Sequence, residues 1–547
     1  MSPIIVRQNG LADADPNTRN PRGRTGGPSR CLPICLVAVI ALASFVTGCT
    51  TLGPDYKKPE AQVSAQWIDI DAPRVNSQPA DLADWWTVFD DPVLNSLVEM
   101  AYTQNLTLRI AGLRILEARA NLGIAVGSKY PQVQQINGNA TRVEISDNDP
   151  SSKVADRNFE SAEATFDLAW ELDFWGRFRR AIESAEAQFD ASIADYDDVM
   201  VALASEVARS YVLIRTFEER LALAEQNVVT QERALRIADV KFRNGAVTEL
   251  DVQQARAILA NTEALIPVLE TGLRQVNNAL AVLLGLTPRD LGDLLQGPAP
   301  IPVAPFEVST GVPAELLRRR PDVRRAERFL AAQSAQIGVS ITDLYPRFSL
   351  VGSVGFRTSD SSETSFTMDS GLGDLFDSDS AAGFLGPFFS WNIFNYGRIK
   401  NNIRVQDARF QQLLVNYQNT VLTALAETEN AIVAYLKAHE QANFLGESVR
   451  AAQRAVQLSL IQYREGTTDF DRVLSTLTFL VDQQDSLTAT AGDVATNLIA
   501  MYKALGGGWQ VRGDRKIEDY VPEEDKQQLR ARTKYWHKVL PASTEAQ

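Results

Sequence analysis

The chain has 547 residues, of which 45% are hydrophobic and 22% charged, and its formal net charge is −14. This length allows more than one folding unit, and the acidic balance argues against a nucleic-acid partner, which would require clustered Lys and Arg. Three Cys and two His are too few for a zinc cluster or a disulfide framework. We therefore expect no metal, no cofactor and no nucleic acid, and nothing in the residue pattern indicates an enzyme.

Residues 1–48 predict a signal peptide. An Arg-rich stretch precedes an apolar run, Cys31–Val46, which is shorter than the roughly 20 residues that a membrane helix needs. The motif "VTGC" (Val46–Cys49) resembles the lipobox of bacterial lipoproteins. It predicts cleavage before Cys49, lipidation of that residue, and a lipid-linked N-terminal segment over residues 49–100. A signal peptide that ends near a Cys, or a short membrane anchor, is the alternative.

The two halves of the chain repeat one another. At an offset of 221 residues Trp170 aligns with Trp391, and at an offset of 215 "KYP" (Lys129–Pro131) aligns with "LYP" (Leu344–Pro346). Two steady offsets indicate an internal duplication. We place repeat 1 at residues 101–300, repeat 2 at 301–510, and a polar C-terminal tail, expected to be peripheral or partly mobile, at 511–547.

Each repeat predicts the same elements in the same order. A helix that ends shortly before a Pro comes first, then a hairpin of two strands, then a pair of long helices. In repeat 1 these are Asn105–Gly127, a hairpin at 131–175 and helices at 177–285. In repeat 2 they are Asp322–Thr342, a hairpin at 346–396 and helices at 398–505.

The clearest strand is Ala164–Phe174, where apolar residues alternate with a set that includes Asp167, Glu171 and Asp173. Such alternation is usual for a half-buried sheet in a soluble domain. However, eleven residues is also the length of a tilted strand that crosses a membrane, about 9–11 residues. We favour the membrane interpretation, in which the three carboxylates line the water-filled lumen of a barrel.

The first long helix starts where the strand pattern stops. No Pro or Gly interrupts Arg177–Arg243, and at ~1.5 Å per residue such a helix measures roughly 100 Å, too long for a globular core. We predict that Gly176–Arg177 and Gly397–Arg398 are two copies of one strand-to-helix joint. The glycines would permit the sharp change of direction.

Four strands per chain cannot close a barrel, and an open sheet edge cannot lie in lipid. If these strands span a membrane, several chains must therefore share one barrel. Two chains would supply eight strands, whose interior is filled by side chains. Three chains would supply twelve, wide enough for a pore.

Several motifs in this order resemble those of the TolC/OprM-type outer-membrane efflux proteins, in the NodT-like lipoprotein branch. The motifs are "GCTTLGPDYKKP" (Gly48–Pro59), "DLADWWTVFDDPVLNSLV" (Asp81–Val98) and "VPAELLRRRPDVRRAE" (Val312–Glu327). The resemblance implies a mainly α protein with membrane β: a homotrimer with a twelve-stranded outer-membrane barrel that continues into a periplasmic α-helical barrel. It further implies the exit duct of a tripartite pump, which passes drugs or other small molecules from a periplasmic adaptor and an inner-membrane RND transporter to the outside.

The resemblance also assigns a periplasmic gate to the turns between the long helices. Tyr463 occupies the position of a Tyr that helps hold the closed state, and Asp251 matches an Asp of the first turn. Thr468 stands where some members carry Arg, and Ser475 where many carry an Asp that narrows the lumen. We hypothesise that Asp471, one helical turn earlier on the same face, supplies that acidic ring. The alternative is that Asp471 merely stabilises the start of a helix.

Two other protein classes explain part of the pattern. A passive outer-membrane porin would account for the strands but not for two helices of roughly 100 Å. A coiled-coil surface structural protein would account for the helices but not for the hairpins or the repeated Gly-Arg step.

Overall fold

The computed structural model describes residues 51–76, 78, 81–148, 157–305, 307–360 and 372–540. The predicted signal peptide and Cys49 lie outside the described residues. Within the described ranges, no helix is both long enough and apolar enough to cross a bilayer.

Helices form most of the described chain. They are α1 (Pro92–Gln104), α2 (Leu106–Gly127), α3 (Arg177–Arg243), α4 (Glu249–Leu283), α5 (Gly292–Leu295), α6 (Pro313–Arg319), α7 (Pro321–Thr342), α8 (Arg398–Arg464), α9 (Phe470–Ala504) and α10 (Glu523–Arg532). The strands are β1 (Val75–Asn76), β2 (Val133–Glu144), β3 (Asn158–Glu171), β4 (Val308–Ser309), β5 (Arg347–Ser359) and β6 (Ala381–Ser390).

The helix bounds reproduce the two offsets found in the sequence. Helices α3 and α8 both have 67 residues, α4 and α9 both have 35, and each pair is related by a shift of 221 positions. Helices α2 and α7 both have 22 residues and are related by a shift of 215. The duplication therefore holds at the level of individual helix ends, and the predicted uninterrupted helix over 177–243 is confirmed.

Strands β2, β3, β5 and β6 form one antiparallel sheet in the order β2-β3-β5-β6. Thr165 pairs with Asn137 on one side and with Gly355 on the other, and the registers run without a bulge. Strands β2 and β6 are its edges. The short strands β1 and β4 form a separate parallel pair that ties the N-terminal segment to the connector between the repeats.

Because side chains alternate along a strand, the register divides the sheet into two faces. One face, here the apolar face, carries Ala164, Phe166, Leu168, Trp170, Phe348, Leu350, Val354 and Phe356. The other, the polar face, carries Gln135, Asn137, Asn139, Glu163, Thr165, Asp167, Ser349 and Ser353. A sheet with one apolar and one polar face suits a wall between lipid and water.

The largest hydrophobic core lies where α1 and α2 pack against the middle of α3 and against helices of the second repeat. Leu94, Ile115, Tyr211 and Leu498 are almost completely buried there. A separate small core closes the far ends of the long helices. Helices of this length are thus held at their middle and at their tip.

A fully buried arginine anchors the connector between the repeats. Arg215 on α3 donates to the backbone oxygens of Leu295 and Gly297, both at 2.6 Å, and pairs with Glu218 at 2.8 Å. Removing either charge would leave polar groups unsatisfied in the interior.

The C-terminal tail packs more extensively than we expected. Leu540 is fully buried with Leu116 and Val521 in a core of its own. Arg109 on α2 pairs with Asp525 on α10 at 2.8 Å. The charged composition of the tail suggested a loose segment, but Leu529, Trp536 and Val539 pack into this core beside Leu113 and Leu116 of α2.

Candidate functional site

On the polar face of the sheet, two of the three predicted carboxylates lie on β3. Asp167 accepts a hydrogen bond from the side chain of Asn137 across the β2–β3 pair. Glu171, at the end of β3, pairs with Arg177 at 3.6 Å and lies 4.0 Å from Arg347. Both share a face with the other polar residues, as a lumen-lining role would require.

The third carboxylate, Asp173, lies beyond the strand in which the sequence pattern placed it. The strand ends at Glu171, three residues before the predicted end, so Asp173 is not part of it. Its carboxylate accepts from the backbone N–H groups of Phe178 at 3.0 Å and Arg179 at 3.1 Å, and it pairs with the Arg179 side chain at 3.1 Å. An acidic side chain that accepts hydrogen bonds from the free N–H groups at a helix start stabilises that start. Asp173 therefore stabilises the first turn of α3 at the joint.

The two joint glycines have similar backbone conformations, although Tyr396 before the second also has a positive φ, of 47°. Gly176 precedes α3 with φ of 77°, and Gly397 precedes α8 with φ of 82°; this left-handed region disfavours other residues. The paired tryptophans act alike as well: Trp170 donates to the backbone oxygen of Lys129 at 3.1 Å, and Trp391 donates to that of Leu344 at 2.9 Å. The motif is therefore one structural unit used twice.

The arginines that follow the glycines differ in their partners. Arg177 lies between Glu171 and Asp343, at 3.6 and 3.8 Å. Arg398 is exposed, and its backbone N–H donates to Asn395 at 2.9 Å.

The N-terminal segment, described from Thr51 onward, covers the first joint. The backbone N–H of Leu52 donates to Trp175 at 3.1 Å, and the buried Arg180 donates to the Leu52 oxygen at 3.0 Å and pairs with Asp55 at 2.7 Å. A Cβ on Gly176 would lie 2.7 Å from the Thr51 side chain. The chain from Thr51 to Asp55 therefore lies at the end of the sheet.

A second contact fixes the same segment to α7. Lys58 pairs with the largely buried Glu327 at 2.6 Å. Burial raises the pKa of Glu327, but hydrogen bonds from Lys58 and Arg328 outweigh it and leave that pKa below its ordinary value. Sequence reasoning missed these contacts because ion pairs between distant positions leave no periodic signal.

At the far end of the long helices, the turns 244–248 and 465–469 lie together in the small core that contains Tyr463. This side chain is buried, and its ring centre lies 5.2 Å from that of Phe470. The ammonium of Lys241 on α3 lies 4.4 Å from the Tyr463 ring centre and donates to the Tyr463 backbone oxygen. Lys241, which the sequence analysis did not single out, thus joins the two turns.

The Tyr463 hydroxyl has no hydrogen-bond partner in the described part of the chain. Burial, and after it the charge of Asp251, raises the pKa of Tyr463 to about 12. Asp251 lies in the first turn of α4 and is the charged group that acts on Tyr463.

The three remaining gate residues lie on the second turn and the start of α9. Asp471 is exposed in the first helical turn, after an N-terminal cap by Asp469. Ser475 is exposed and donates to the Arg472 backbone oxygen at 3.0 Å, while Thr468 is half-buried in the turn. Both interpretations of Asp471 fit this position, since it lies at a helix start and on the exposed face that carries Ser475.

Comparison with known proteins decides the family. A family model described as "Outer membrane efflux protein" matches residues 97–286 and again 312–507. This chain belongs to the outer membrane efflux protein family. The two matches coincide with the two repeats, so each repeat is one copy of the family's unit.

This chain matches relatives and solved structures of the outer membrane efflux protein family over nearly the whole length of those proteins. Nodulation protein T of Rhizobium leguminosarum bv. trifolii is 30% identical over 85% of this chain and 96% of its own. The pyoverdine export outer membrane protein OpmQ of Pseudomonas aeruginosa is 30% identical over 85% and 97%. The solved structure of the outer-membrane channel OprN has a TM-score of 0.77 at 33% identity and covers 84% of this chain and 99% of that one. The chain is an efflux channel protein of the outer membrane.

Proposed function

We propose that three copies of this chain form one continuous duct, the exit channel of a tripartite efflux pump. The three sheets close into a twelve-stranded barrel in the outer membrane, and the long helices form an α-helical barrel in the periplasm. The duct carries small molecules outward and performs no chemistry on them.

One observation carries this proposal: the inner strands β3 and β5 present an apolar and a polar face, and the sheet, in the residues described, has two unpaired edges. Unpaired backbone groups cannot lie in hydrocarbon, so β2 of one copy must pair with β6 of another. Twelve strands leave room for an aqueous lumen, whereas eight are filled by side chains. The polar face, with Asp167 and Glu171, lines that lumen.

The helices support the same arrangement. Each joint turns the chain from the sheet into a 67-residue helix, which reaches roughly 100 Å from the membrane. The turns around Lys241 and Tyr463 therefore lie at the periplasmic end, where we place the gate and the contact with a periplasmic adaptor and an inner-membrane RND transporter. The joint beside Leu52 lies at the inner lipid boundary, which is the position that a lipid on Cys49 requires.

Native mass spectrometry of the full chain, extracted from outer membranes in mild detergent, tests the proposal. We expect a complex of three copies, each carrying acyl chains on Cys49 in place of the first 48 residues. A C49S variant is the matched control for the acyl mass. A stable complex of one or two copies would contradict the shared barrel, because neither supplies twelve strands.

A further inference from the structure

The edge strand β6 departs from the two-faced pattern of the sheet. On β2, β3 and β5 the polar face carries mostly amides, hydroxyls and carboxylates. On β6 the residues that share this face are Ala382, Phe384, Gly386 and Phe388. Strand β6 is therefore apolar on the side where its neighbours are polar.

The assignment of the two phenylalanines to this face follows from the register. Phe384 pairs with Ser353, and Phe388 pairs with Ser349. The ten paired positions of β5 and β6 run without a bulge, so the alternation of side chains is not reset along the strand. Leu385 and Phe389 lie between and beyond them on the opposite, apolar face.

These two rings have little to pack against in the described chain. Phe384 is 61% exposed and Phe388 55% exposed. Their direct cross-strand partners are serines, too small to cover a ring. In the shared barrel the next strand along is β2 of another copy, whose polar face presents Gln135, Asn137 and Asn139. Folding therefore leaves both rings facing the lumen.

The two positions are four residues apart, roughly 13 Å along the strand. Three copies would place three rings at each of two levels of the barrel. Aromatic faces attract other rings and aliphatic groups at short range, and several weak sites in series allow a molecule to enter and also to leave.

We propose that Phe384 and Phe388 form an aromatic strip inside the barrel that contacts the ring-bearing part of the cargo. This deepens the proposed function and rests on it, because only a shared duct puts these rings beside a moving solute. The cargo class it indicates is an amphiphilic molecule with at least one aromatic ring. The aromatic rings of the cargo would contact Phe384 and Phe388, and its polar groups would contact Asp167 and the serines of β5.

Planar-bilayer recording with two organic cations tests the strip. Tetraphenylphosphonium carries four phenyl rings, and tetraethylammonium carries the same charge without rings, so the lumen carboxylates attract both alike. Each is added from the barrel side, and the concentration that halves the open-channel current is measured. We compare the wild-type chain with F384S/F388S, which copies the serines across the strand pair, with F384Y/F388Y, which keeps the rings, and with A382S as a control on the same face.

We expect tetraphenylphosphonium to block F384S/F388S only at about tenfold higher concentration than the wild type, and F384Y/F388Y and A382S to stay near the wild type. Tetraethylammonium should act equally on all four. If the double variant does not assemble, F384S and F388S alone should each show part of the shift. Unchanged block by tetraphenylphosphonium in channels that still open would overturn the strip and leave the duct intact. Absence of any channel from the wild-type chain would overturn the duct.

Discussion

The joint glycines give the sharpest test of the structure because they share a backbone conformation but not an environment. Alanine at Gly176 or at Gly397 must adopt a φ near +77° or +82°, which costs about 1–2 kcal/mol for a residue with a Cβ. At Gly397 the nearest atom to a new Cβ is the Asn401 amide nitrogen at 3.7 Å. G397A should therefore cost only the backbone strain.

At Gly176 a second cost is added. The new Cβ would lie 2.7 Å from the Thr51 side chain and 3.0 Å from its Cα, and overpacking of this kind costs about 1–3 kcal/mol. We expect G176A to destabilise the protein by about 2–5 kcal/mol in all, at least as much as G397A and up to several-fold more. The strain can also be relieved if the N-terminal segment lifts away and Leu52 loses its bond to Trp175.

Thermal unfolding followed by circular dichroism in detergent measures the first effect, and protease cleavage within residues 51–60 measures the second. G176A should lower the unfolding midpoint more than G397A does. The protease should also cleave G176A faster than G397A within residues 51–60. T51G, which removes the closest atom, should recover part of the loss in G176A and nothing in G397A. Equal losses in the two single variants, with no difference in cleavage, would refute the contact between the N-terminal segment and the first joint.

Three other perturbations follow from particular residues. If Asp471 forms an acidic ring, D471A will raise the channel conductance and weaken the block by divalent cations in bilayers. Unchanged conductance and block would mean that Asp471 only stabilises the start of α9. E327Q should destabilise the chain at neutral pH. Because the folded-state pKa of Glu327 is lowered, its contribution is present above its unfolded value of about 4.3. The difference in unfolding free energy between E327Q and the wild type should disappear as the pH falls through the lower folded-state pKa. A difference that is independent of pH would show that the ion pair with Lys58 gives no charge-dependent stability. R215A should cost about 3–5 kcal/mol by leaving a buried partner charge, whereas R215M/E218Q should cost less in chemical denaturation; equal losses would argue against a buried ion pair.

The six helices of the two repeats and the duplication could be predicted almost residue by residue, because breakers and periodicity are local signals, whereas α1, α5, α6 and α10 were not predicted. Arg177–Arg243 contains no Gly or Pro, and the left-handed glycines at its start recur at the start of α8. The end of β3 could not be placed as well. Phe174 continues the alternation of apolar residues, which predicts a longer strand. In the structure, however, Asp173 accepts hydrogen bonds from backbone N–H groups at the start of α3, and the strand ends before it.

Contacts between distant positions were beyond the reach of the sequence. Nothing local links Lys58 with Glu327 or Lys241 with Tyr463, since each pair depends on how the helices cross. The role of Gly176 was predicted for its backbone only; that Thr51 fills the space where a side chain would stand is a tertiary fact. The packing of the tail could not be predicted for the same reason. A few apolar residues in a charged segment are enough to form a small core when they meet Leu113 and Leu116 of α2.

Planar-bilayer recording of the purified full chain shows whether these strands and helices make one duct with a gate at its far end. We expect a small channel that is mostly closed and that opens more often when K241M removes the ammonium over Tyr463. A large, permanently open channel would indicate a porin. No channel at all would indicate a structural surface protein, and either result would rule out a gated efflux duct.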